Sequence, residues 1–502
     1  MRRRAALASA RKAAGHTQES LAAALHTDRS TVNRWESGAH EPSPYIRPKL
    51  ARLLGQSPRR LQEIIECANS VDVGPASIDF EVAFEWLDQH GGWSPGTAQR
   101  KHEAILKKLD RGSLIDQIDR RAKVGRSTVA DALARYYFDG KRSMSPRLYR
   151  VRYDDWDVST SIVTRPEWLS LGYPLSSPHM KLTFDSVSSA RWVDTNEVVI
   201  AKSVRRLAEA ATLGMRLLET QIFRLLNFNA QGDSMCGSLG LTSFVEYALT
   251  ADLLEGELLD NVAREAPSDP SLWPLRSHYL PDLKAVMDTS KRLCAGGVLA
   301  LCAIARPADS FRGPADYLLL VQERSADVLN AARQLAVIPK GFHKPLTDYR
   351  ADAQVSATLQ RKLEEELFGR DDIDSTMSRH TSASPMHPSR LSQPMRWLTE
   401  NPDALRMEST GFGLNLVSGN YEFPALLVID DEEFWFRHGG DIETNWESSG
   451  LQLYSSLDRD LLGKLIGDEH WSNEGLFALL QGLRRLDELG GTRVNVPHIE
   501  LA

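Results

Sequence analysis

Residues 17–38, TQESLAAALHTDRSTVNRWESG, constrain this chain more than any other stretch. Thr17 is an N-cap residue type, and Gln18 and Glu19 open a helix. Leu21, Ala24 and Leu25 give that helix an apolar stripe. His26 and Thr27 make a turn, and Asp28 caps a second helix whose inward positions are Val32 and Trp35. Gly38 ends it, and Pro42 and Pro44 oppose continuation. A third apolar segment, 46–54, closes over the pair, with Gly55 as its stop. Helices this short persist only when packed together, so the spacing predicts a small all-α domain over residues 1–66.

The outer face of the second helix carries Arg29, Ser30, Thr31, Asn33 and Arg34. In a major groove, Arg and Asn make paired hydrogen bonds to base edges. Gln18, at the start of the preceding helix, is placed to donate to a phosphate and set register. The segment resembles the Cro/phage-repressor (XRE) class of helix-turn-helix in its Thr17-Gln18 opening, its Trp35-Glu36-Ser37-Gly38 ending and the downstream Pro42-Ser43-Pro44. The resemblance implies that Gln18, Arg29, Ser30, Thr31 and Arg34 contact double-stranded DNA. Such modules generally pair, because one helix in one groove reads few base pairs, so a homodimer is expected. A three-helix protein-interaction module is the alternative.

With 502 residues, roughly three domains are expected. Apolar and charged contents of 42% and 25% are those of a soluble globular chain. Cys67, Cys236, Cys294 and Cys302 form no CxxC pair, which excludes a disulfide framework or a zinc ligand set from that source and makes a reducing cytoplasm the expectation. No secretory core and no membrane anchor is read. The net charge of -7 conceals +6 over residues 1–66 and +9 over residues 97–152. Basic charge gathered toward the front suits a polyphosphate partner.

A second basic segment lies at 113–137. Ser113 is placed to cap, Leu114, Ile118 and Ala122 recur at helical spacing, Val124-Gly125 makes a turn, and Ser127-Thr128 opens a helix with Val129 and Leu133 inward. It is similar to the Lac-repressor type of helix-turn-helix, with Gly125 in place of the usual Ser. That likeness makes Arg126, Ser127 and Thr128 DNA-facing candidates. The alternative is an amphipathic hairpin whose arginines are a solvated face.

The rest of 67–290 reads as a mostly helical middle domain. It has strand-like pieces at 148–153 and 159–163, a long helix at 196–228, and further helices at 80–89, 244–263 and 283–293. Strands are expected at 296–305, 316–323 and 335–339, then a glycine-led loop from Gly341, a helix at 355–368, and strands at 411–417, 425–430 and 433–436. This order resembles the Nudix fold over 291–456, an α/β/α sandwich, so the whole chain is expected to be a multidomain α+β protein. In that family the loop glycine is followed six residues later by a glutamate, and the helix supplies R-E-U-x-E-E to hold Mg²⁺ against a diphosphate. Here Arg361, Glu365 and Glu366 fill three of the places. Lys362 stands where a glutamate belongs, Thr347 replaces the loop glutamate, and the interval from Gly341 to Arg361 is too long. A cation at a ligand position opposes Mg²⁺. The resemblance therefore implies a non-catalytic sensor or scaffold, with Arg361, Glu365 and Glu366 as candidates for a nucleotide-type ligand. No cofactor or metal is expected unless the site is active, when Glu365 and Glu366, with Glu364 beside them, would hold Mg²⁺. A solvated acidic face, with Arg361 and Glu365 as an i,i+4 pair, is the plain alternative.

Residues 374–396, rich in Ser, Pro, Met and His, read as a mobile insertion whose His380 and His387 suggest no metal by themselves. The tail, 457–502, reads as C-terminal helices around Trp471-Ser472-Asn473. Three functions remain open: a DNA-binding transcriptional regulator with a ligand-sensing domain, a Mg-dependent Nudix hydrolase with a DNA-binding head, and an antitoxin or stress-response interaction protein.

Overall fold

The computed structural model describes residues 5–502 apart from 15, 26, 38–41, 43–45, 55–60, 62–79, 139–144, 155, 170–171, 177–179, 186–194, 216, 218, 232–233, 265–272, 326–330, 369, 371–384, 443 and 445–447. The turn residue His26, the stop glycines Gly38 and Gly55, Cys67, and most of the expected insertion with His380 lie outside the described residues. Contacts divide the chain into two units, Met1–Ala76 with Arg437–Asp441, and Ser77–Phe436 with Ile442–Ala502.

In the first unit, α1 (Ala5–Ala13), α2 (Gln18–Leu25), α3 (Arg29–Glu36) and α4 (Arg47–Leu53) share one small core. Leu7, Leu21, Leu25, Val32, Trp35, Leu50 and Leu54 fill it. The Thr17 hydroxyl accepts from the Ser20 amide at 3.0 Å, so the expected cap forms. Asp28 precedes α3 in extended conformation but makes no side-chain cap bond.

The second unit begins with α5 (Phe80–His90), α6 (Thr97–Leu106), α7 (Arg111–Ala122) and α8 (Arg126–Phe138). Strands β1 (Arg147–Tyr153), β2 (Trp156–Thr164), β3 (Tyr173–Pro174) and β4 (Met180–Phe184) follow, then α9 (Glu197–Leu213), β5 (Gln221–Gln231) and β6 (Ser234–Ser243). Next come α10 (Phe244–Ala248), α11 (Leu253–Ala263), α12 (Pro274–Tyr279) and α13 (Leu283–Met287), and strands β7 (Gly296–Arg306), β8 (Asp316–Arg324), β9 (Leu335–Val337) and β10 (Lys340–Phe342). Helices α14 (Val355–Glu366) and α15 (Gln393–Glu400) precede β11 (Leu405–Ser409), β12 (Gly413–Asn415) and β13 (Tyr421–Ile429). The chain closes with α16 (Glu432–His438), β14 (Ser448–Ser455), α17 (Arg459–Ile466), α18 (Asn473–Leu489) and β15 (Ile499–Leu501).

One sheet runs β14-β8-β7-β13-β12-β2-β1-β15, and β4-β6-β5 form a smaller one. Strand β7 pairs in parallel with β13, Gly296 opposite Tyr421 through to Ile304 opposite Ile429. Both faces of β7 are apolar, as a covered parallel strand requires. Val298, Ala300, Cys302 and Ile304 share a core with Val355, Leu359 and Leu363 of α14. Leu299, Leu301 and Ala303 face the opposite core, with Leu476, Leu479, Leu480 and Leu483 of α18. Burying each such leucine stabilises by about 1.5–3 kcal/mol. At Gly482, α18 approaches so closely that a Cβ would lie 2.7 Å from Leu301.

Several expectations are corrected here. The middle holds more strand than expected beside its helices: β1 and β2, the expected strand pieces, enter the large sheet, and β4–β6 form a sheet of their own. The tail supplies α18, which covers the sheet, and β15, which pairs with β1, so from residue 80 on the described parts of the three expected segments, apart from 437–441, share one unit. The long helix expected at 196–228 stops at Gly214, whose φ of 75° closes α9, and the chain then becomes β5. The apolar pairs Ile222-Phe223 and Leu225-Leu226 mimic helical spacing, but pairing with β6 decides them. The strand expected at 433–436 is α16, where the Asp431 carboxylate accepts from the Glu433 amide at 2.8 Å. Of the expected mobile insertion, residues 385–396 carry a short turn at Pro388–Arg390 and the start of α15.

Candidate functional site

The two faces of α3 divide as the sequence requires. Val32 and Trp35 are buried, Arg29, Ser30, Asn33 and Arg34 are exposed, and Thr31 is half-buried. Arg29 meets Glu19 at 2.8 Å, with both side chains about half exposed. An exposed pair of that kind holds weakly, so the guanidinium can exchange onto a nucleic acid. Gln18 is placed differently from expectation. Its amide donates to Glu36 at 2.8 Å, so one of its N–H groups is directed inward. Glu36 also receives the guanidinium of Arg11, Nε to Oε1 at 2.7 Å, and Arg11 donates to the His16 carbonyl at 2.7 Å. These contacts tie α1 and the start of α2 to the end of α3 and set the angle of its exposed face. The sequence reading missed Arg11 and Glu36 as a pair. They stand 25 residues apart, and nothing local marks either as the other's partner.

Helices α7 and α8 follow one another across a short turn at 123–125. Asp110, not Ser113, caps α7, accepting from the Ser113 amide at 2.8 Å. The start of α8 is turned into the protein. Arg126 is buried and donates to the carbonyls of Ser159 at 3.1 Å and Asp468 at 3.2 Å. Ser127 donates from its amide at 3.0 Å and its hydroxyl at 2.8 Å to the Glu469 carboxylate. Thr128 remains exposed. The expectation that Arg126 and Ser127 face DNA is therefore corrected. Both are committed to the loop between α17 and α18, and Val129, Ala130, Ala132 and Leu133 bury the helix behind them.

The acidic helix α14 is likewise no solvated face. Arg361, Lys362, Glu364, Glu365 and Glu366 are all buried. Arg361 donates to the Lys344 carbonyl at 2.9 Å. Glu364 pairs with Arg370 at 3.1 Å and accepts from the Ser392 amide at 2.7 Å. The Lys362 ammonium lies 3.0 Å from Glu365 and 3.5 Å from Glu366, and Glu366 also accepts from the Lys340 amide at 2.9 Å. Gly341 is required for this close approach, since a Cβ there would fall 2.3 Å from Lys362 Cε. Lys362 thus supplies the positive charge that a divalent cation would bring to Glu365 and Glu366. Among the described residues no group of three or more His, Cys, Asp or Glu is placed to hold a metal ion. The donor set does not fit Mg²⁺. Nor are Arg361, Glu365 and Glu366 presented to a nucleotide.

A second buried network adjoins this one. The Asn415 amide donates to Glu422 at 3.3 Å and to Glu474 at 3.2 Å, and Lys340 pairs with Glu474 at 2.6 Å. Burial, then the charge of Glu474, pushes the Glu422 carboxyl up to about 8, while Glu474 is held ionised by Lys340. The pair keeps one proton between two carboxylates.

Among the described residues no helix is long and apolar enough to cross a membrane. The helix-turn-helix family matches residues 7–61, from within α1 to beyond the end of α4. The chain therefore carries a helix-turn-helix domain of the DNA-binding kind. No curated protein matches the chain.

Proposed function

We propose that this protein is a cytoplasmic, sequence-specific transcriptional regulator that acts as a homodimer. In this reading α3 enters the major groove, Arg29, Asn33 and Arg34 read base edges, and Ser30 and Thr31 contact the groove walls. Gln18 meets the backbone with whatever donor Glu36 leaves it. The observation that carries the proposal is the division of α3, with Val32 and Trp35 buried and a continuous polar, basic face outward, within a segment that matches a DNA-binding family. The larger unit is proposed to be a Nudix-like layer that senses or scaffolds and does not hydrolyse. Support comes from the α14–sheet–α18 layering and from Lys362 neutralising Glu365 and Glu366. The test is selection from a random duplex pool with the full chain. Enrichment of a repeated half-site spaced by one or more helical turns is expected. A pool that stays random through successive rounds at physiological salt would refute sequence-specific binding.

A further inference from the structure

Helices α7, α9 and α11 enclose a cavity of about 190 Å³ that opens to solvent. One water needs only about 10–15 Å³ of such space, so an organic molecule is accommodated. Leu114 and Ile118 on α7, Leu213 at the end of α9, and Met215 and Leu259 make an apolar wall.

The charged lining is graded in depth. Five carboxylates, Glu209, Asp252, Glu255, Glu257 and Asp260, face four basic groups, Arg121, Lys202, Arg205 and Arg206. The bases are held by acids: Arg121 by Asp260 at 2.7 Å, Arg206 by Asp252 at 2.9 Å, Arg205 by Glu209 at 2.7 Å and Lys202 by Glu257 at 3.7 Å. Lys202 and Arg205 lie at the mouth, 43% and 56% exposed, whereas Asp252 and Glu257 are only 1% and 3% exposed. Gly256 lets the Arg121 guanidinium lie against α11, where a Cβ would come within 3.3 Å. The deep acids Asp252 and Glu257 are ion-paired with Arg206 and Lys202, and the lining as a whole holds one more carboxylate than bases beside its apolar wall. That excess of negative charge favours a cation over an anion.

We propose that this cavity binds a small organic ammonium compound, its apolar body against Leu114, Ile118 and Met215 and its charged end toward Asp252 and Glu255. Glu255 is the responsive group. It faces Asp252 on its own helix, Glu474 on α18 and Lys340 on β10, and it accepts from the Ala331 amide at 3.2 Å. Around it, Arg121 of α7 pairs with Asp260 and also feels the charge of Glu255, and Arg206 and Lys202 of α9 pair with Asp252 and Glu257. Burial, with the two acids, pushes the Glu255 carboxyl up to about 7. An arriving ammonium favours the ionised carboxylate, so binding expels a proton and tightens as pH rises from about 6 to 8.

The test is titration calorimetry of the full chain with cyclohexylamine, against cyclohexanol, cyclohexanecarboxylate and inorganic phosphate. The amine alone is expected to bind, with proton release near pH 6.5 seen as a dependence of the heat on buffer. Glu255→Gln is expected to weaken binding at least tenfold and to abolish proton release. Ile118→Trp, which fills the cavity from a half-exposed position, is expected to block binding with the circular dichroism spectrum kept. Failure of the amine to bind, preference for either anion, or undiminished binding in both variants overturns the proposal. None of these readouts involves DNA, so the regulator reading stands or falls separately.

Discussion

Arg11 on α1 and Glu36 on α3 form an ion pair at 2.7 Å inside the helix-turn-helix unit, with side-chain exposures of only 2% and 6%. A buried pair is weak evidence of net stabilisation, but removing one partner strands the other charge in a core. Arg11→Met is therefore expected to destabilise the unit by about 3–5 kcal/mol, with loss of DNA binding. The double variant Arg11→Met with Glu36→Leu is expected to recover much of the stability. Thermal melts of the three proteins check this, and a single variant as stable as the parent would show that the pair is solvated.

Arg34 lies on the exposed face of α3 and has no part in the core. Arg34→Ala is expected to leave the melting temperature unchanged and to weaken binding to the selected duplex by about 1–3 kcal/mol, with relaxed preference at one base pair. Gel-shift titrations against the selected site and its single-base variants measure this. Equal affinity for parent and variant would remove Arg34 from the reading face.

Arg126 tests the opposite assignment. Its guanidinium serves two carbonyls within the larger unit, so Arg126→Ala is expected to cost roughly 1.5–3 kcal/mol of that unit's stability. Operator affinity per folded molecule is expected to stay the same. A fall in affinity with stability intact would restore the α7–α8 pair as a second DNA reader.

Buried groups predict the pH profile. His343 is buried, its Nε2–H donating to the Asp352 carbonyl at 3.3 Å and its Nδ1 accepting from the Tyr421 hydroxyl at 3.0 Å. Burial, helped by the charge of Arg361, pushes its pKa from 6.5 down to about 3. Below pH 6.5 the unfolded chain binds the proton that the folded one refuses, so stability falls as pH drops, by about 1.4 kcal/mol per unit. Glu422 acts in the other direction: its pKa rises from 4.5 to about 8, so the folded chain holds the extra proton and stability falls as pH climbs through that window. The two slopes oppose each other between 4.5 and 6.5, and Glu255, pushed up to about 7, adds a second falling slope over that range. Denaturation midpoints are expected to peak near pH 4.5, with declines on both sides. His343→Gln should flatten the acid limb and Glu422→Gln the alkaline limb, and a variant that leaves its limb unaltered would release that group from the assignment.

Much of the framework was legible in the chain itself. The cap Thr17 and the stripes behind α2 and α3 stand within a few residues of what they control. The continuous apolar runs of β7 and β8 announce buried strands for the same reason. Local spacing failed where two periodicities compete, as at β5, whose partner β6 settles the matter. It failed more completely for charge. Ser127 and Glu469 stand 342 residues apart, and Lys340 reaches Glu366 and Glu474 from a separate strand. By itself, then, the sequence determined where helices and strands start, stop and turn their apolar faces, because backbone preference and capping act over one or two turns. Which charged side chains remain open to a partner was decided only by the tertiary structure, because the cost of burying a charge depends on the counter-charges and carbonyls that distant segments bring to it.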